Sequence, residues 1–265
     1  MTKKENLKFD RTDLQVSDGT KNNGAVRLHR DYIAHCFRWS FVARRCGRLK
    51  LNGKKRSILD VGCGKAIPLV DTIFESRLRD GFDHYTGVDL NKIQARREFF
   101  KTSKQISIIE ETNIMDLTKD QLPKPVNTIV CFEMLEHIPP SLTQNVINKM
   151  VELAEPEAEF IISTPVFSES RGMAANHLNE MSRDELIKYF NNAGLVVIEN
   201  YGTFGSKSDY KKHLTPEHAK VLQELSVYHC DAVLANFIAP LYPKHSRNNI
   251  WICRKEPHVR TRPPH

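Results

Sequence analysis

Hydrophobic and polar positions follow two different periods along this chain, and the change between them predicts its elements. Apolar, β-branched runs typical of strands occur in seven places: residues 57–60, 84–89, 106–111, 126–132, 159–164, 195–201 and 249–255. Stretches with apolar residues three or four apart, typical of amphipathic helices, precede the first run and separate most of the others. The alternation predicts an α/β domain, which suits a chain of 265 residues.

The turn after the first predicted strand carries the clearest signal for a ligand. The run from Ser57 stops at Asp60. Gly62 and Gly64 follow, and a helical pattern resumes near Leu69. Glycine has no Cβ, so a ligand can lie against the N–H groups of this turn, next to the positive dipole end of the following helix. Because Asp60 would repel a pyrophosphate but can accept from an ammonium group, the turn predicts a nucleotide-like ligand that carries a cation.

A second strand ends on an acid 25 residues beyond Gly64. The run 84–89 stops at Asp89, where a carboxylate is placed to accept hydrogen bonds from two ribose hydroxyls. An N-cap for a helix that begins at Asn91 is the alternative role, and it explains less of the pattern.

Four short motifs follow one another in order: Asp60 to Gly64, Val88 with Asp89, Asn113 with Ile114, and Cys131 to His137. Together they resemble the class I S-adenosylmethionine (SAM) methyltransferases over residues 57–200. The resemblance implies a Rossmann-like fold with a seven-stranded, mostly parallel sheet and helices on both faces. It also implies an N-terminal helix and a helical insertion before the last strand. The chain departs from the family at Ala66, where many members have a third glycine.

The resemblance implies SAM as the cofactor and assigns residues to it. The implied cofactor-binding residues are Asp60, Gly62, Cys63, Gly64, Asp89, Leu90, Asn113, Ile114 and Cys131. Asn113 stands where an aspartate is usual at the adenine N6 amine, so its amide oxygen would accept instead, and Asp116 is the alternative acceptor. Cys63 and Cys131 are interpreted as small packing residues within these motifs.

Two carboxylates and two imidazoles lie near the ends of the fourth and fifth predicted strands. Glu133, Glu136 and His137 form one turn, and His177 follows at a distance. Oxygen and imidazole donors together suit Mg²⁺ or Mn²⁺, and such an ion can lower the pKa of a bound hydroxyl. The sequence therefore predicts all four residues as metal ligands, and His137, His177 and Glu133 as catalytic residues. A turn that Glu and His only brace, without a metal, is the alternative.

The run from His177 to Leu186, together with that turn, resembles the metal-dependent 2′-O-methyltransferases that act on the 3′ end of small RNAs. It also resembles ubiquinone-pathway O-methyltransferases, whose acceptor is a catechol. The resemblance implies methyl transfer to an oxygen, in preference to a nitrogen, of a small-molecule, nucleotide or nucleic-acid acceptor. Two other functions stay open: a non-catalytic SAM-binding or nucleic-acid-binding subunit, and a nicotinamide-dependent dehydrogenase, which Asp60 and the missing third glycine oppose.

The patterns divide the chain into five parts. Residues 1–25 are polar and predicted flexible, and residues 26–56 contain a basic helix over 26–49. Residues 57–201 are expected to form the SAM-binding core, 202–248 a helical insertion or lid, and 249–265 the last strand with a basic tail. The insertion stands where the plain fold needs only a hairpin. It is interpreted as the acceptor-recognition element, or as a helical pair covering the sheet edge.

The basic helix has two interpretations. In the first, its apolar stripe of Ile33, Phe37 and Phe41 packs on the sheet and its arginines form a solvated face. In the second, four of its side chains overhang the cofactor cleft: Tyr32, His35, Arg38 and Trp39.

The net charge of +7 is concentrated at the two ends of the chain. Residues 1–57 hold 15 Lys/Arg and 5 Asp/Glu, residues 244–265 hold 6 and 1, and the middle is net −8. Basic ends on an acidic middle predict contact with a polyanion such as nucleic acid, although solubilising tails give the same count.

Cysteine usage and hydropathy bear on the compartment. The six cysteines form no C-x-x-C pair, which indicates reduced thiols and a cytoplasmic protein. No apolar run approaches the ~20 residues of a membrane span, and residues 1–10 lack the apolar segment of a signal peptide. We therefore expect no membrane contact, while the sequence gives no indication of the oligomeric state.

Overall fold

The computed structural model describes residues 16–17, 27–28, 30–48, 50–64, 67–74, 79–92 and 103–256. Within these ranges, side chains are described from residue 33 onwards, apart from residues 67–68. Several expectations fall outside the described residues: the flexible segment 1–25 apart from residues 16–17, the side chain of Tyr32, the departure at Ala66, and the basic tail beyond residue 256.

Seven strands form one mixed sheet. They are β1 (Arg56–Val61), β2 (Phe82–Val88), β3 (Ile106–Ile109), β4 (Val126–Phe132), β5 (Ala154–Pro165), β6 (Leu195–Phe204) and β7 (Asn248–Lys255). Their order across the sheet is β3-β2-β1-β4-β5-β7-β6, and β7 runs antiparallel to its two neighbours while the other pairings are parallel. The predicted mostly parallel sheet is confirmed. A separate two-residue antiparallel pairing joins Val16–Ser17 to Arg27–Leu28.

The described helices agree with the helical patterns except at some ends. They are α1 (Arg30–Arg48), α2 (Ile67–Phe74), α3 (Pro140–Leu153), α4 (Arg183–Asn192), α5 (Lys207–Tyr210), α6 (Pro216–Leu225) and α7 (Asp231–Ile238). The basic helix predicted over 26–49 begins only at Arg30, because residues 27–28 pair as a strand. None of the described helices is long and apolar enough to span a membrane.

Consecutive residues of the central strands face opposite layers of helices. Ile58 and Val130 belong to the apolar cluster that α1 and α2 complete on one face. Leu59 and Ile129 belong to the cluster that α3 and α4 complete on the other face. Strands buried on both sides are expected in a parallel sheet, and the two clusters confirm helices on both faces.

The order in which the chain adds strands reverses at β1, which pairs with β2 on one side and with β4 on the other. In open α/β sheets, ligands bind at such a switch point, outside the carboxyl ends of the strands. The turns after β1 and β4 meet there: a Cβ built on Gly62 would lie 2.6 Å from Cγ of Met134. The topology therefore places the glycine turn next to the turn that carries Glu133, Glu136 and His137.

The first interpretation of α1, with a solvated basic face, is wrong for two of its arginines. Arg38 is only 3% exposed. Arg45 donates to the carboxylates of Glu159 and Glu199 at 2.7–3.1 Å. These charge-assisted bonds turn the guanidinium groups inwards, and the partners lie far away in sequence, so helical periodicity alone does not show them.

The insertion is rooted on β6 and β7. β6 runs to Phe204, so the first residues of the predicted insertion continue the strand, and β7 begins at Asn248. Between them, Tyr210 of α5 packs with Ala235 and Ile238 of α7 in a small apolar core. The segment α7 also packs against α1, so the insertion adds to the helical layer that holds the basic helix.

Candidate functional site

The turn after β1 has the backbone geometry that its glycines predict. Gly62 and Gly64 have φ values of +69° and +55°, which L side chains rarely adopt. The N–H groups of Gly62 and Cys63 donate to the Val88 carbonyl at 2.9 and 3.1 Å, which fixes the turn on the end of β2. A Cβ built on Gly64 meets nothing within 4 Å among the described residues, so the space over this glycine is open to a ligand.

Asp89 follows β2 and lies against the glycine turn. Its Oδ2 accepts from the Gly64 N–H at 2.9 Å. Its Oδ1 accepts from the backbone and side-chain nitrogens of Asn91 at 2.8 and 3.1 Å, the local bonding of a cap. Because each carboxylate oxygen can accept twice, these three bonds leave one acceptor site, on Oδ2, for a ribose hydroxyl. The fold thus joins the two predicted halves of the cofactor site.

Asp60 is a buried carboxyl at the end of β1, with 5% exposure. The Tyr85 hydroxyl donates to its Oδ2 at 2.6 Å. Burial raises the pKa of Asp60 to about 7, and Asp89 adds to the rise against the opposing effect of the Tyr85 bond. Among the described residues no cation pairs with Asp60, and such a carboxyl gains most from a ligand that brings one.

The turn after β3 carries both candidate acceptors for adenine. Asn113 Oδ1 accepts from the Met115 N–H at 3.0 Å and so caps the short turn Ile114–Asp116. Ile114 is buried, and Asp116 is exposed. After β2, the Leu90 side chain is 64% exposed, an apolar surface beside Asp89.

Cys63 and Cys131 are neutral thiols. Cys131 is fully buried within the sheet, and Cys63 packs against the other apolar layer. Burial raises the pKa of both thiols well above the ordinary value. A Cβ on Gly87 would lie 2.8 Å from Sγ of Cys63, so the absence of a side chain on β2 makes room for this cysteine. The contacts agree with their interpretation as packing residues.

Glu136, His137 and His177 converge beyond the end of β4. One donor atom from each of them lies within 4.8 Å of the other two. The two imidazole rings meet edge to face, with centroids 5.0 Å apart. Glu136 is 1% exposed, and its Oε2 accepts from the Thr164 hydroxyl at 3.2 Å. The fold therefore brings together three of the four residues that the sequence predicts as metal ligands.

Hydrogen bonds at Nδ1 orient both imidazoles. Nδ1 of His177 lies 2.5 Å from Glu180 Oε1, and Nδ1 of His137 lies 3.3 Å from the Asn176 carbonyl oxygen. A carboxylate and a carbonyl can only accept, so each ring donates from Nδ1, which leaves Nε2 as the nitrogen that a neutral ring offers to a ligand. In metal sites, a hydrogen bond at the ring nitrogen that does not bind the metal orients the histidine in this way.

The electrostatics of the group also suit a cation. Burial raises the pKa of Glu136 well above its ordinary value, and the charge of Glu133 adds to the rise. Burial lowers the pKa of His137, with a further contribution from His177. A neutral imidazole can ligate a metal ion directly, and a bound cation stabilises the ionised form of a buried carboxyl.

Glu133 lies on the same turn but faces other partners. Its Oε1 accepts from the Ser163 hydroxyl at 2.7 Å, and its Oε2 accepts from Asn248 Nδ2 at 2.6 Å. Arg38 Nη1 is 3.6 Å from Oε1. Although burial opposes it, the charge of Arg38 and these hydrogen bonds bring the pKa of Glu133 below its ordinary value. Glu133 is therefore an anchored carboxylate outside the group of Glu136, His137 and His177, and its role as a fourth ligand stays a prediction.

Arg38 of α1 reaches this turn through Glu133, while the second interpretation of α1, an overhang of the cofactor cleft, stays a prediction. Arg38 also donates to Nδ1 of His35 at 2.7 Å, and the His35 ring stacks on Trp39 with centroids 5.6 Å apart. Burial lowers the pKa of His35 to about 3, with Arg38 adding to the effect, so this imidazole is neutral. One side of α1 thus borders the turn of Glu133, Glu136 and His137, which we call the acidic turn.

Sequence reasoning missed the residues that support these groups. They are Tyr85, Ser163, Asn176, Glu180 and Asn248. Glu180 had a local signal, since it stands three residues after His177. The others act across the sheet or between distant loops, where spacing in the sequence carries no information.

The family comparison covers the same region. A family model described as a methyltransferase domain matches residues 33–200. The ubiquinone biosynthesis O-methyltransferase of Photorhabdus laumondii subsp. laumondii is 32% identical over 130 residues, which are 48% of this chain and 48% of that protein. The chain therefore spans about half the length of this curated relative.

Solved structures share the fold at low identity. The small RNA methyltransferase HEN1 superposes with a TM-score of 0.55 and 17% identity, over 83% of this chain and 25% of that chain. A Burkholderia thailandensis 1,6-didemethyltoxoflavin-N1-methyltransferase, solved with S-adenosylhomocysteine and 1,6-didemethyltoxoflavin bound, gives 0.51 and 14%, over 88% and 92% of the two chains. With the family model matching more than half of the chain, and with this sheet order and glycine turn, the protein belongs to the class I SAM-dependent methyltransferases.

Proposed function

We propose that this protein binds SAM and transfers its methyl group to an oxygen, in preference to a nitrogen, of a small-molecule or nucleotide-like acceptor. The observation that carries the proposal is the bond between Gly64 N–H and Asp89 Oδ2, which joins an open glycine turn to a ribose-type carboxylate. The O-methyltransferase relative supports oxygen as the acceptor atom, and the toxoflavin N1-methyltransferase keeps nitrogen as the second choice.

The described residues fit SAM. The space over Gly64 is open for the methionine part. Asp60 offers a buried carboxyl to the ammonium group, and Asp89 offers the remaining acceptor site of Oδ2 to a ribose hydroxyl. The exposed side chain of Leu90 offers an apolar surface that an adenine ring can cover.

In the proposed reaction the chain acts mainly by placement. SAM, when bound, supplies an electrophilic methyl group that moves in line to an attacking acceptor atom. The glycine turn, Asp60 and Asp89 hold SAM, and the turn of Glu136 and His137 borders the acceptor. Holding two reactants in line and excluding water supplies a large part of such a rate enhancement.

We further propose that Glu136, His137 and His177 hold a divalent ion. Two of these three donors are imidazoles, which favours Mn²⁺ over Mg²⁺. Such an ion, when bound, supplies a Lewis acid that lowers the pKa of an acceptor hydroxyl. In the alternative without a metal, Nε2 of His137 or of His177 accepts the acceptor proton as a general base.

The insertion is our candidate for acceptor recognition. Its second root, Asn248, touches Glu133 of the acidic turn. It also exposes apolar side chains, among them Phe237 at 53% and Leu241 at 60%. A catechol and a short single-stranded RNA are the two acceptors to try first, since the relatives include a ubiquinone-pathway enzyme and a small RNA methyltransferase.

Calorimetric titration with SAM and with NAD tests the cofactor. We expect SAM to bind with an affinity on the order of micromolar, and Asp89→Ala to weaken it by ~1.5–3 kcal/mol through loss of charge-assisted ribose contacts. The matched control is Asp83→Ala, which removes an exposed carboxylate from β2, the strand that Asp89 follows, and should leave SAM affinity unchanged. Tight binding of NAD with none of SAM would contradict the proposal.

A second assay tests turnover and the metal. Transfer of a labelled methyl group to the catechol or to the RNA should vanish in EDTA and return with Mn²⁺. Full transfer in the presence of EDTA would eliminate the metal and leave the general-base alternative. Binding of SAM with no transfer to either acceptor would favour a non-catalytic subunit.

A further inference from the structure

Glu133 is held in one orientation by partners from three different elements. Its backbone has a φ of +52°, which is unusual for a residue with a Cβ. Ser163 from β5 and Asn248 from β7 each donate to one carboxylate oxygen, at 2.7 and 2.6 Å. Arg38 from α1 adds a positive charge at 3.6 Å. The carboxylate is thereby bonded to other partners and is not among the donors of the group formed by Glu136, His137 and His177.

Asn248 is itself fixed by Thr203. The Thr203 hydroxyl donates to Oδ1 of Asn248 at 2.9 Å, and the two residues are 1% and 6% exposed. Because Oδ1 is taken by this donor, the amide nitrogen must face Glu133. A carboxylate can only accept, so both hydrogen bonds, from Thr203 to Asn248 and from Asn248 to Glu133, donate towards Glu133.

Thr203 and Asn248 stand at the two roots of the insertion. Thr203 is the penultimate residue of β6, and Asn248 is the first residue of β7. Next to them, the Arg247 N–H donates to the Phe204 carbonyl at 2.8 Å, and the Arg247 guanidinium bonds Asp209 at 2.6 Å. Any displacement of the insertion that separates its roots therefore acts on Asn248.

We propose that Asn248 is a positioning residue that couples the insertion to the acidic turn and holds the Glu133 carboxylate away from the Glu136–His137–His177 group. The part of this inference that concerns the metal rests on the ion proposed above. When the insertion closes on an acceptor and shifts its roots, Glu133 is released towards the group and becomes its fourth, anionic donor. Acceptor binding and divalent-ion binding then strengthen each other, as linkage requires.

The alternative role for Asn248 is purely structural, to satisfy a buried polar position at the start of β7. That role predicts lower stability on substitution and no effect specific to the turn. Asn249 provides the matched control, because it is adjacent, is also buried, and bonds Asn200 and the Pro243 carbonyl instead of Glu133.

The test compares Asn248→Ala, Thr203→Val and Asn249→Ala by two readouts. The first is hydrogen–deuterium exchange of the backbone of residues 133–137, which needs no metal. The second is Mn²⁺ affinity, measured by electron paramagnetic resonance on the protein without acceptor. Asn248→Ala should speed exchange of this turn and tighten Mn²⁺ binding by about tenfold. Thr203→Val should move both readouts in the same direction by less, and Asn249→Ala should move neither.

Two results would overturn the inference. One is equal exchange of the turn in Asn248→Ala and Asn249→Ala. The other is a wild-type Mn²⁺ affinity retained in Asn248→Ala. If the wild-type protein binds no Mn²⁺, the proposed metal site fails, while the exchange comparison still decides whether Asn248 couples the insertion to the turn. If Asn248→Ala does not fold, Thr203→Val carries both readouts, since it leaves Asn248 in place and removes only the donor that fixes its amide.

Discussion

Two buried glutamates lie at opposite edges of the sheet, and the charges around them differ. Glu159, at the end where β1 begins, is fully buried and paired with three arginines, namely Arg45, Arg56 and Arg254. Glu136, at the edge with the glycine turn, is equally buried but lies beside two imidazoles and one hydroxyl. Among the described residues, positive charges compensate the Glu159 carboxylate closely, whereas the Glu136 carboxylate is only weakly compensated.

The pKa values move in opposite directions for that reason. Despite burial, the hydrogen bonds and charges of Arg45 and Arg56 bring the pKa of Glu159 below its ordinary value. Burial raises the pKa of Glu136, and Glu133 adds to it. A compensated buried charge contributes to stability once formed, whereas an uncompensated one is a place for an incoming cation. The difference separates the structural edge of this sheet from its functional edge.

The largest expected effect is at the structural edge. Glu159→Gln removes the carboxylate that pairs with Arg56, which is 1% exposed, and should lower the free energy of unfolding by about 3–5 kcal/mol. Chemical denaturation measures this change, and SAM affinity should stay the same. Arg254→Ala is the control: its side chain is 50% exposed, so it should cost less than about 1 kcal/mol.

The same network predicts a pH dependence. The pKa of Glu159 is lower in the folded protein than in the unfolded chain, so its contribution to stability is present above the ordinary carboxyl range. It is lost as the pH falls through the lowered value. Glu159→Gln should remove this acid-side loss, and a wild-type stability that stays flat from neutral to strongly acid pH would contradict the assignment.

A smaller effect, on binding and not on stability, is expected at the functional edge. His177→Ala removes one imidazole from the group and should weaken Mn²⁺ binding by about 100-fold, while the free energy of unfolding changes by less than about 1 kcal/mol. The exposed His213 offers the control, since it stacks on His245 in the insertion, outside the group. A loss of stability with unchanged Mn²⁺ affinity would show that His177 only braces the loop.

The smallest effect concerns Asp60. Its pKa of about 7 in the free protein means that it is protonated below that pH and then cannot attract the SAM ammonium. The dissociation constant for SAM should therefore rise about tenfold for each pH unit below 7 and level off above it. Calorimetry at a series of pH values measures this slope. Asp60→Asn should flatten the profile, and a wild-type profile already flat between pH 5 and 8 would remove Asp60 from the ammonium site.

Local patterns predicted most of the fold. The bounds of β4 match the apolar run over 126–132, and α7 lies within the predicted helical insertion over 202–248. The start of α4 follows from the reciprocal bonds of Ser182 and Glu185, a signal that needs only four residues. β5 begins before its predicted start, where Ala154 pairs with Val126 of β4, and β5 and β6 end later than predicted because Pro165, Gly202 and Phe204 pair with β7.

Tertiary partners decided the rest of the candidate site. Arg45 reads as a solvated helix residue until Glu159, 114 residues away, is placed beside it. Glu133 reads as a metal ligand until Asn248, 115 residues away, is seen to hold it. Spacing predicted that Glu136 and His137 lie on one turn, but only the fold shows which of the neighbouring carboxylates faces His177.

The most direct test of the contrast between the two edges is a Mn²⁺ titration, followed by electron paramagnetic resonance, of the wild-type protein and of two isosteric variants, Glu136→Gln and Glu159→Gln. We predict that Mn²⁺ binding is lost in Glu136→Gln and kept in folded Glu159→Gln, while the unfolding free energy drops only in Glu159→Gln. Equal Mn²⁺ binding by the wild-type protein and Glu136→Gln would contradict the account.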